Sequence, residues 1–259
     1  MNIVLLGSGN TATVLAKLMV AKQHSIVQVW SRTLTNAHEL TTKVGGIAFE
    51  FLNDITKEAD LYIIAVADDA VGTVAAQLQL KNKIIVHTAG SVSKEFLQNT
   101  SANYGVLYPL QSLRREMEEI PEIPFFIDAN SKEVKVLLYD FAKELSRSVA
   151  FANDAERLHM HLAAVVVNNF TNHLYAVAEN FCSEKQLHFQ MLMPLIKETA
   201  MRLTQVSAKD AQTGPARRGD RATINKHLHL LKENKKLQFI YQTLSNSILD
   251  MYHKKEELR

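Results

Sequence analysis

Short apolar runs alternate with amphipathic stretches over residues 1–152, and the alternation predicts the elements in order. Strand-like runs occupy 2–6, 26–30, 47–50, 61–66, 83–87, 104–108, 124–127 and 148–151. Leu61-Tyr62-Ile63-Ile64 and Ile84-Ile85-Val86 are apolar on both faces, the pattern of parallel strands covered by helices on both sides. Helical spacing appears between them, for example at 69–79 and 131–145. This order predicts a doubly wound α/β sheet whose ligands gather at the carboxyl ends of its strands.

After residue 152 the strand pattern stops. Asn153-Asp154-Ala155-Glu156 has the form of a capping box, with Glu156 three residues after the cap. It opens a mostly apolar helix to about residue 182. Further helices are predicted at 188–205, 223–234 and 237–254 from apolar positions three and four apart. Pro194 predicts a kink in the first of these, or its true start. Residues 206–222 are polar and irregular. The predicted organisation is a Rossmann-type α/β domain over 1–152 followed by an all-α domain over 153–259.

The chemistry concentrates where the first strand ends. Gly7-Ser8-Gly9-Asn10-Thr11-Ala12 lies between the strand at 2–6 and a helix predicted at 13–21. Gly7 permits a tight turn, Gly9 lets backbone approach a pyrophosphate, and Ala12 keeps the helix close to the strand. The free N–H groups and positive end of the helix face the anion. The second strand ends in Ser31-Arg32-Thr33, where an NAD site usually carries an acidic residue for the ribose. No acidic residue occurs before Glu39. Arg32 is placed to meet a 2′-phosphate, with Ser31 and Thr33 as neutral donors; the plainer alternative is a solvated loop cation. A charge-assisted hydrogen bond of about 1.5–3 kcal/mol would favour NADP over NAD by ten-fold or more.

The remaining strand ends are less specific. Val66 and Ala67 would line the ribose side, and Asp68 and Asp69 either bond a hydroxyl or, for Asp69, cap a helix. Ala89, within His87-Thr88-Ala89-Gly90-Ser91, marks the nicotinamide end. His87 is either a proton donor or a structural histidine, and Ser93 reads as a helix cap. Tyr108-Pro109-Leu110-Gln111-Ser112 is another polar edge on the same crevice. In the long helix, His161, Val165, Asn168 and Asn172 fall on one stripe, and Asn169 and His173 on the next. Buried amides and imidazoles need partners, so these residues either tie helices together or face a ligand.

Composition narrows the class. The chain has 259 residues, 47% hydrophobic and 22% charged, ordinary for a globular protein. A net charge of +2 gives no reason to expect nucleic acid or an acidic membrane surface as a partner. Cys182 stands alone, so no internal disulfide, cysteine cluster or metal site is expected. The first strand begins at residue 2, leaving no room for a signal peptide. No apolar run approaches the ~20 residues of a membrane span. These features predict a soluble, cytoplasmic protein.

Gly7-Ser8-Gly9-Asn10-Thr11-Ala12 with Trp30-Ser31-Arg32-Thr33 resembles the start of pyrroline-5-carboxylate reductase and its relatives. Those relatives include the 6-phosphogluconate and 3-hydroxyisobutyrate dehydrogenases and ketopantoate reductase. Over nearly the whole chain, the segments 87–91, 108–112, 161–169 and 213–220 resemble a bacterial Rossmann-like family of NADP oxidoreductases with a C-terminal helical domain of unknown function. The resemblance implies an N-terminal NADP domain, a helical domain that builds a homodimer, and an active site in the cleft between them.

One departure stands out. The hydroxyacid dehydrogenases carry a catalytic lysine three residues before an Asn-Asn pair; aligned on Asn168-Asn169, that position is Val165. Pyrroline-5-carboxylate reductases lack this lysine too. The expected activity is NADPH-dependent reduction of a carbonyl or imine on a small carboxylate. His161 or His87 would give the proton, Asn168 would bond the reacting atom, and Asn169, Arg217 and Arg218 would bind substrate. The forked donors of Arg217 and Arg218 suit a carboxylate or phosphate; the alternative is a solvated basic loop. A rival reading is an NADP(H)-binding sensor or scaffold without turnover. A weaker third is a deazaflavin-linked oxidoreductase.

Overall fold

The computed structural model describes residues 1–253. The first elements are β1 (Asn2–Leu6), α1 (Asn10–Ala21), β2 (Ser25–Trp30), α2 (Leu34–Val44), β3 (Ile47–Phe49), β4 (Leu61–Ile64) and α3 (Val71–Ala75). Then come β5 (Lys81–His87), β6 (Ser101–Pro109), β7 (Phe125–Ala129), α4 (Lys132–Leu145), β8 (Val149–Phe151) and α5 (Asp154–Ala164). The strands form one sheet in the order β3-β2-β1-β4-β5-β6-β7-β8, parallel throughout except for the antiparallel β6–β7 pair. The first six strands follow the doubly wound order, and the direction of winding reverses between β1 and β4.

The strands explain their own burial. Successive β1 side chains alternate faces, so Ile3 and Leu5 join the core on one side of the sheet and Val4 and Leu6 join the core on the other. Both faces are covered, and every residue of β4 is buried. α4 starts at its cap Ser131, whose hydroxyl accepts from Val134 N–H. The capping box at Asn153 and Glu156 is formed in both directions.

Three local expectations change. The helix expected over 69–79 shrinks to a 3₁₀ turn at Asp68–Ala70 followed by the short α3. Past Ala75 the N–H groups of Gln77 and Leu78 bond the carbonyls three residues back, Val74 and Ala75, which ends the α-helical pattern. Asp69 therefore sits inside a 3₁₀ turn and caps nothing. The long helix after Asn153 is interrupted by a π-helical turn at Val165–Phe170. Three successive β-branched valines and two asparagines make poor α-helix there. The wider turn shifts the angular spacing, so the stripe joining His161 to Asn168 and Asn172 is not a straight α-helical one.

The chain divides into two compact units, Met1–Phe170 and a second beginning at Thr171. The second holds α6 (Thr171–Glu184), α7 (Met193–Arg202), α8 (Ala208–Ala211), α9 (Pro215–Arg218), α10 (Arg221–Leu230) and α11 (Lys235–His253). Pro194 lies in the first turn of α7, so it marks that helix's start rather than a kink. The irregular stretch 206–222 contains the two short helices α8 and α9. Asp220 caps α10, accepting from the Thr223 backbone N–H at 3.0 Å and the Thr223 hydroxyl at 2.7 Å. No described helix is long and apolar enough to cross a membrane.

Candidate functional site

β1 hands directly into the glycine turn at the carboxyl edge of the sheet. Gly7 has φ of +134°, and its N–H donates to the Trp30 carbonyl at 2.9 Å. A Cβ there would lie 2.3 Å from the Ala65 carbonyl oxygen, so the meeting of β1 and β4 admits only glycine. Gly9 is different. Its φ is −77°, open to any residue, and a Cβ would meet nothing within 4 Å. Nothing in the protein itself requires glycine there.

α1 begins at Asn10 with no side-chain cap and no acidic residue in its first turn. Of its opening N–H groups, that of Thr13 returns to the Gly9 carbonyl at 2.9 Å. The earlier ones are left for an anion. Ala12 is fully buried beneath the turn. The Ser8 hydroxyl donates to Ser31 Oγ at 2.9 Å, and Ser31 Oγ also accepts from Thr33 N–H at 3.4 Å, tying the turn to the end of β2.

A cleft of about 1010 Å³ opens along this edge. Gly7, Ser8, Gly9, Asn10, Thr11, Ser31, Arg32, Thr33, Val66 and Ala67 line it. Asn36, Thr73 and Gln77 also line it, and no motif signalled them. Ala12 and Ala89 are buried and do not reach its wall. Arg32 is exposed and makes no ion pair among the described residues. A pyrophosphate on the uncapped helix start and a 2′-phosphate on the free guanidinium both fit these residues. The open space at Gly9 is where backbone could approach the former.

A polar cluster adjoins the ends of β5 and β6. Tyr108 Oη lies 2.9 Å from His161 Nδ1, with the rings edge-on at 6.1 Å. Burial and then the nearby Asp68 carboxylate push the Tyr108 phenol up, while Arg157 opposes them. The Asp68 carboxylate accepts from the Ser91 hydroxyl at 2.5 Å. His87 is fully buried, and its Nδ1 accepts from Ala89 N–H at 3.2 Å. Burial and the Arg157 charge lower its pKa to about 4, although the Ser93 backbone favours the charged ring. A neutral, solvent-free imidazole holds no spare proton, so this structure favours the structural role for His87 over the donor role.

Arg157, which no sequence signal marked, is 1% exposed. Its Nη2 bonds the Val92 carbonyl and, at 2.9 Å, Asp154, while Nε and Nη1 have no partner within hydrogen-bond distance. Asn168 and Asn169 are exposed on the π turn, a feature frequent at functional sites.

In the second unit, Arg217 and Arg218 line a pocket of about 540 Å³ with Gln212, Thr213, Gly214 and His253. The Arg217 guanidinium lies over the Tyr252 ring, 4.4 Å from its centre. His253 Nε2 donates to the carbonyls of Ala216 and Arg217 at 3.2 and 3.0 Å. The pocket has forked donors and no carboxylate among its lining residues, so it suits an oxyanion.

Comparison with known proteins agrees with this layout. Residues 2–91 match the family described as NADP oxidoreductase, coenzyme F420-dependent. Residues 123–248 match a domain of unknown function, DUF2520. A Bacteroides fragilis protein named as a putative NADP oxidoreductase has a solved structure 40% identical in sequence, with a TM-score of 0.88. The match covers 96% of this chain and 98% of that one.

The chain belongs to this NADP oxidoreductase family. Every residue lining the strand-edge cleft falls inside the segment that matches the oxidoreductase model. A 1-pyrroline-5-carboxylate reductase from Streptococcus pyogenes shares the fold at a TM-score of 0.67 and 15% identity, over 98% of this chain and 99% of that one. A curated glutamyl-tRNA reductase from Archaeoglobus fulgidus is 27% identical over 80% of this chain. The chain spans only 51% of that protein's length.

Proposed function

We propose that the protein is an NADPH-dependent reductase of a carbonyl or imine on a small carboxylate. The observation that carries this reading is the pairing of an uncapped helix start, opened by a glycine the fold does not itself need, with the unpaired Arg32 across one cleft. Bound NADPH would supply a hydride. The protein's task is to bind, orient and protonate: the turn at Gly7–Thr11 takes the pyrophosphate, and Arg32, Ser31 and Thr33 take the 2′-phosphate. Val66 and Ala67 flank the ribose.

His161 is the retained candidate for handling the proton, with Asn168 and Asn169 as polar contacts to substrate. Arg217, which lies over the Tyr252 ring, and Arg218 take the acid group. The name of the pyrroline-5-carboxylate reductase, a cyclic imino acid reductase, supports this substrate class. In this reading residues 1–152 bind cofactor and residues 153–259 serve substrate and a homodimer. The dimer is supported by the large apolar side chains left exposed in the second unit.

A second reading, a nucleotide-binding sensor without turnover, draws on Val165. It opens the π turn where related dehydrogenases place a lysine. Mixing the protein with NADPH and a panel of 2-oxo and imino acids separates the two. The reductase reading expects loss of reduced-nicotinamide absorbance with at least one of them. Tight binding with no oxidation across the panel favours the sensor.

A further inference from the structure

We propose that Tyr108 is the proton donor of this site and that His161 reloads it through their shared hydrogen bond. The inference rests on the reductase reading and names a residue that reading did not use.

The two side chains meet in space made for them. A Cβ on Gly90 would lie 2.8 Å from Tyr108 Cζ and 2.9 Å from His161 Nδ1. The absence of a side chain at the end of the β5 loop is what lets the phenol and imidazole come within 2.9 Å. Both rings therefore sit over the carboxyl ends of β5 and β6, the edge where doubly wound sheets place their ligands. The Asp68 carboxylate, which lines the cofactor cleft, is close enough to act on the Tyr108 phenol. The dyad thus adjoins the cleft.

Buried Arg157 holds the imidazole in place. Its guanidinium fastens α5 to the Val92 carbonyl and to Asp154. Residues four apart share a helix face, so anchoring Arg157 presents His161 to the same loop. The charge of Arg157 also disfavours a proton on His87. Of the charged groups that act on the Tyr108 phenol, Asp68 and Arg157, neither offers a rival proton: one is a carboxylate and the other a permanently charged anchor.

The proton balance follows. When the substrate carbon accepts the hydride of NADPH, its oxygen or nitrogen is left with an electron pair. The Tyr108 O–H bond breaks as the new O–H or N–H bond forms. The phenolate then takes the proton on His161 Nδ1, and the half-buried imidazole recovers one from solvent.

The test labels tyrosine with carbon-13 at Cζ in the full chain and identifies the Tyr108 signal by its loss in Tyr108→Phe. Nicotinamide fluorescence establishes independently that cofactor is bound. The Tyr108 signal should move on adding NADP⁺ and by a different amount with NADPH, because only the oxidised ring is cationic. His161→Gln should move it without cofactor. With any substrate from the panel that turns over, Tyr108→Phe should lower kcat by about 100-fold or more while leaving NADPH affinity unchanged. His161→Gln should lower kcat while leaving KM unchanged, a split that a merely structural role would not produce. A Tyr108 signal indifferent to bound cofactor, or full kcat in Tyr108→Phe, overturns the proposal alone. Wild-type protein that binds no NADPH overturns the reductase reading and takes this inference with it.

Discussion

Ile3, Leu5, Leu61 and Ile63 are fully buried in the sheet unit, whereas Met191, Phe239 and Leu230 in the helical unit remain 79%, 72% and 70% exposed. The first unit has helices on both faces of its sheet and closes two apolar cores of its own. In the second, only a few side chains such as Cys182, Ile224 and Leu231 are buried. Leaving a large apolar side chain in water instead of burying it forgoes about 1.5–3 kcal/mol. The difference teaches that cofactor chemistry is built on a self-sufficient scaffold, while the helices carry a surface that gains from a partner. A second copy of the chain is the occupant proposed above.

The largest effect expected tests the scaffold. Gly7→Ala must adopt a left-handed backbone costing about 1–3 kcal/mol and also overlap the Ala65 carbonyl. It should lower Tm by at least about 2–4 °C per kcal/mol and abolish NADPH binding. Gly9→Ala should keep the wild-type Tm yet weaken NADPH by about ten-fold or more, because backbone donors to the phosphates are pushed away. Calorimetry on both variants decides; equal loss of Tm in the two would erase the distinction between a fold glycine and a ligand glycine.

Next comes the apolar surface. Analytical ultracentrifugation should find a dimer, and the double variant Met191→Glu, Phe239→Glu should sediment as a monomer with its sheet unit still folded. A monomeric wild type would break the comparison outright.

The third expectation concerns pH. His87 holds its proton less readily folded, at about 4, than at its ordinary 6.5. As pH falls below 6.5 the unfolded chain gains a proton first, so stability present above 6.5 is lost progressively down to about 4. The loss amounts to roughly 3 kcal/mol at about 1.4 kcal/mol per unit. Urea unfolding across that window should show the slope, and His87→Gln should flatten it.

The smallest effect sharpens cofactor choice. Arg32→Ala should weaken NADPH by about ten-fold or more, the equivalent of one charge-assisted bond, and leave NADH affinity where it was. Parallel loss for both nucleotides would return Arg32 to the status of a loop cation.

The strand runs, the glycine turn and the capping residues Ser93 and Asn153 were legible in the chain because each acts within a few residues. Period-2 and period-3.6 patterns and local hydrogen-bonding partners are written locally. So was the lining of the strand-edge cleft from Gly7 to Thr33, because turn and strand end follow the register of β1 and β2. Less legible was the short α3, whose chain past Ala75 closes with three-residue bonds from Gln77 and Leu78 to Val74 and Ala75 where the apolar spacing still reads as helix. The π turn at Val165–Phe170 was likewise hidden, since three valines in a row read equally well as an apolar helix face.

By itself, then, the sequence determined the doubly wound order, the glycine turn at the sheet edge and the basic residue at the end of β2. Only the tertiary structure decided the structural roles of His87 and Arg157 and the partner of Tyr108. Burial and the Arg157 charge keep His87 neutral, the same buried guanidinium anchors α5, and the absent side chain of Gly90 brings Tyr108 to His161. These roles depend on residues far apart in the chain, and on how much water each is denied, which no local pattern records.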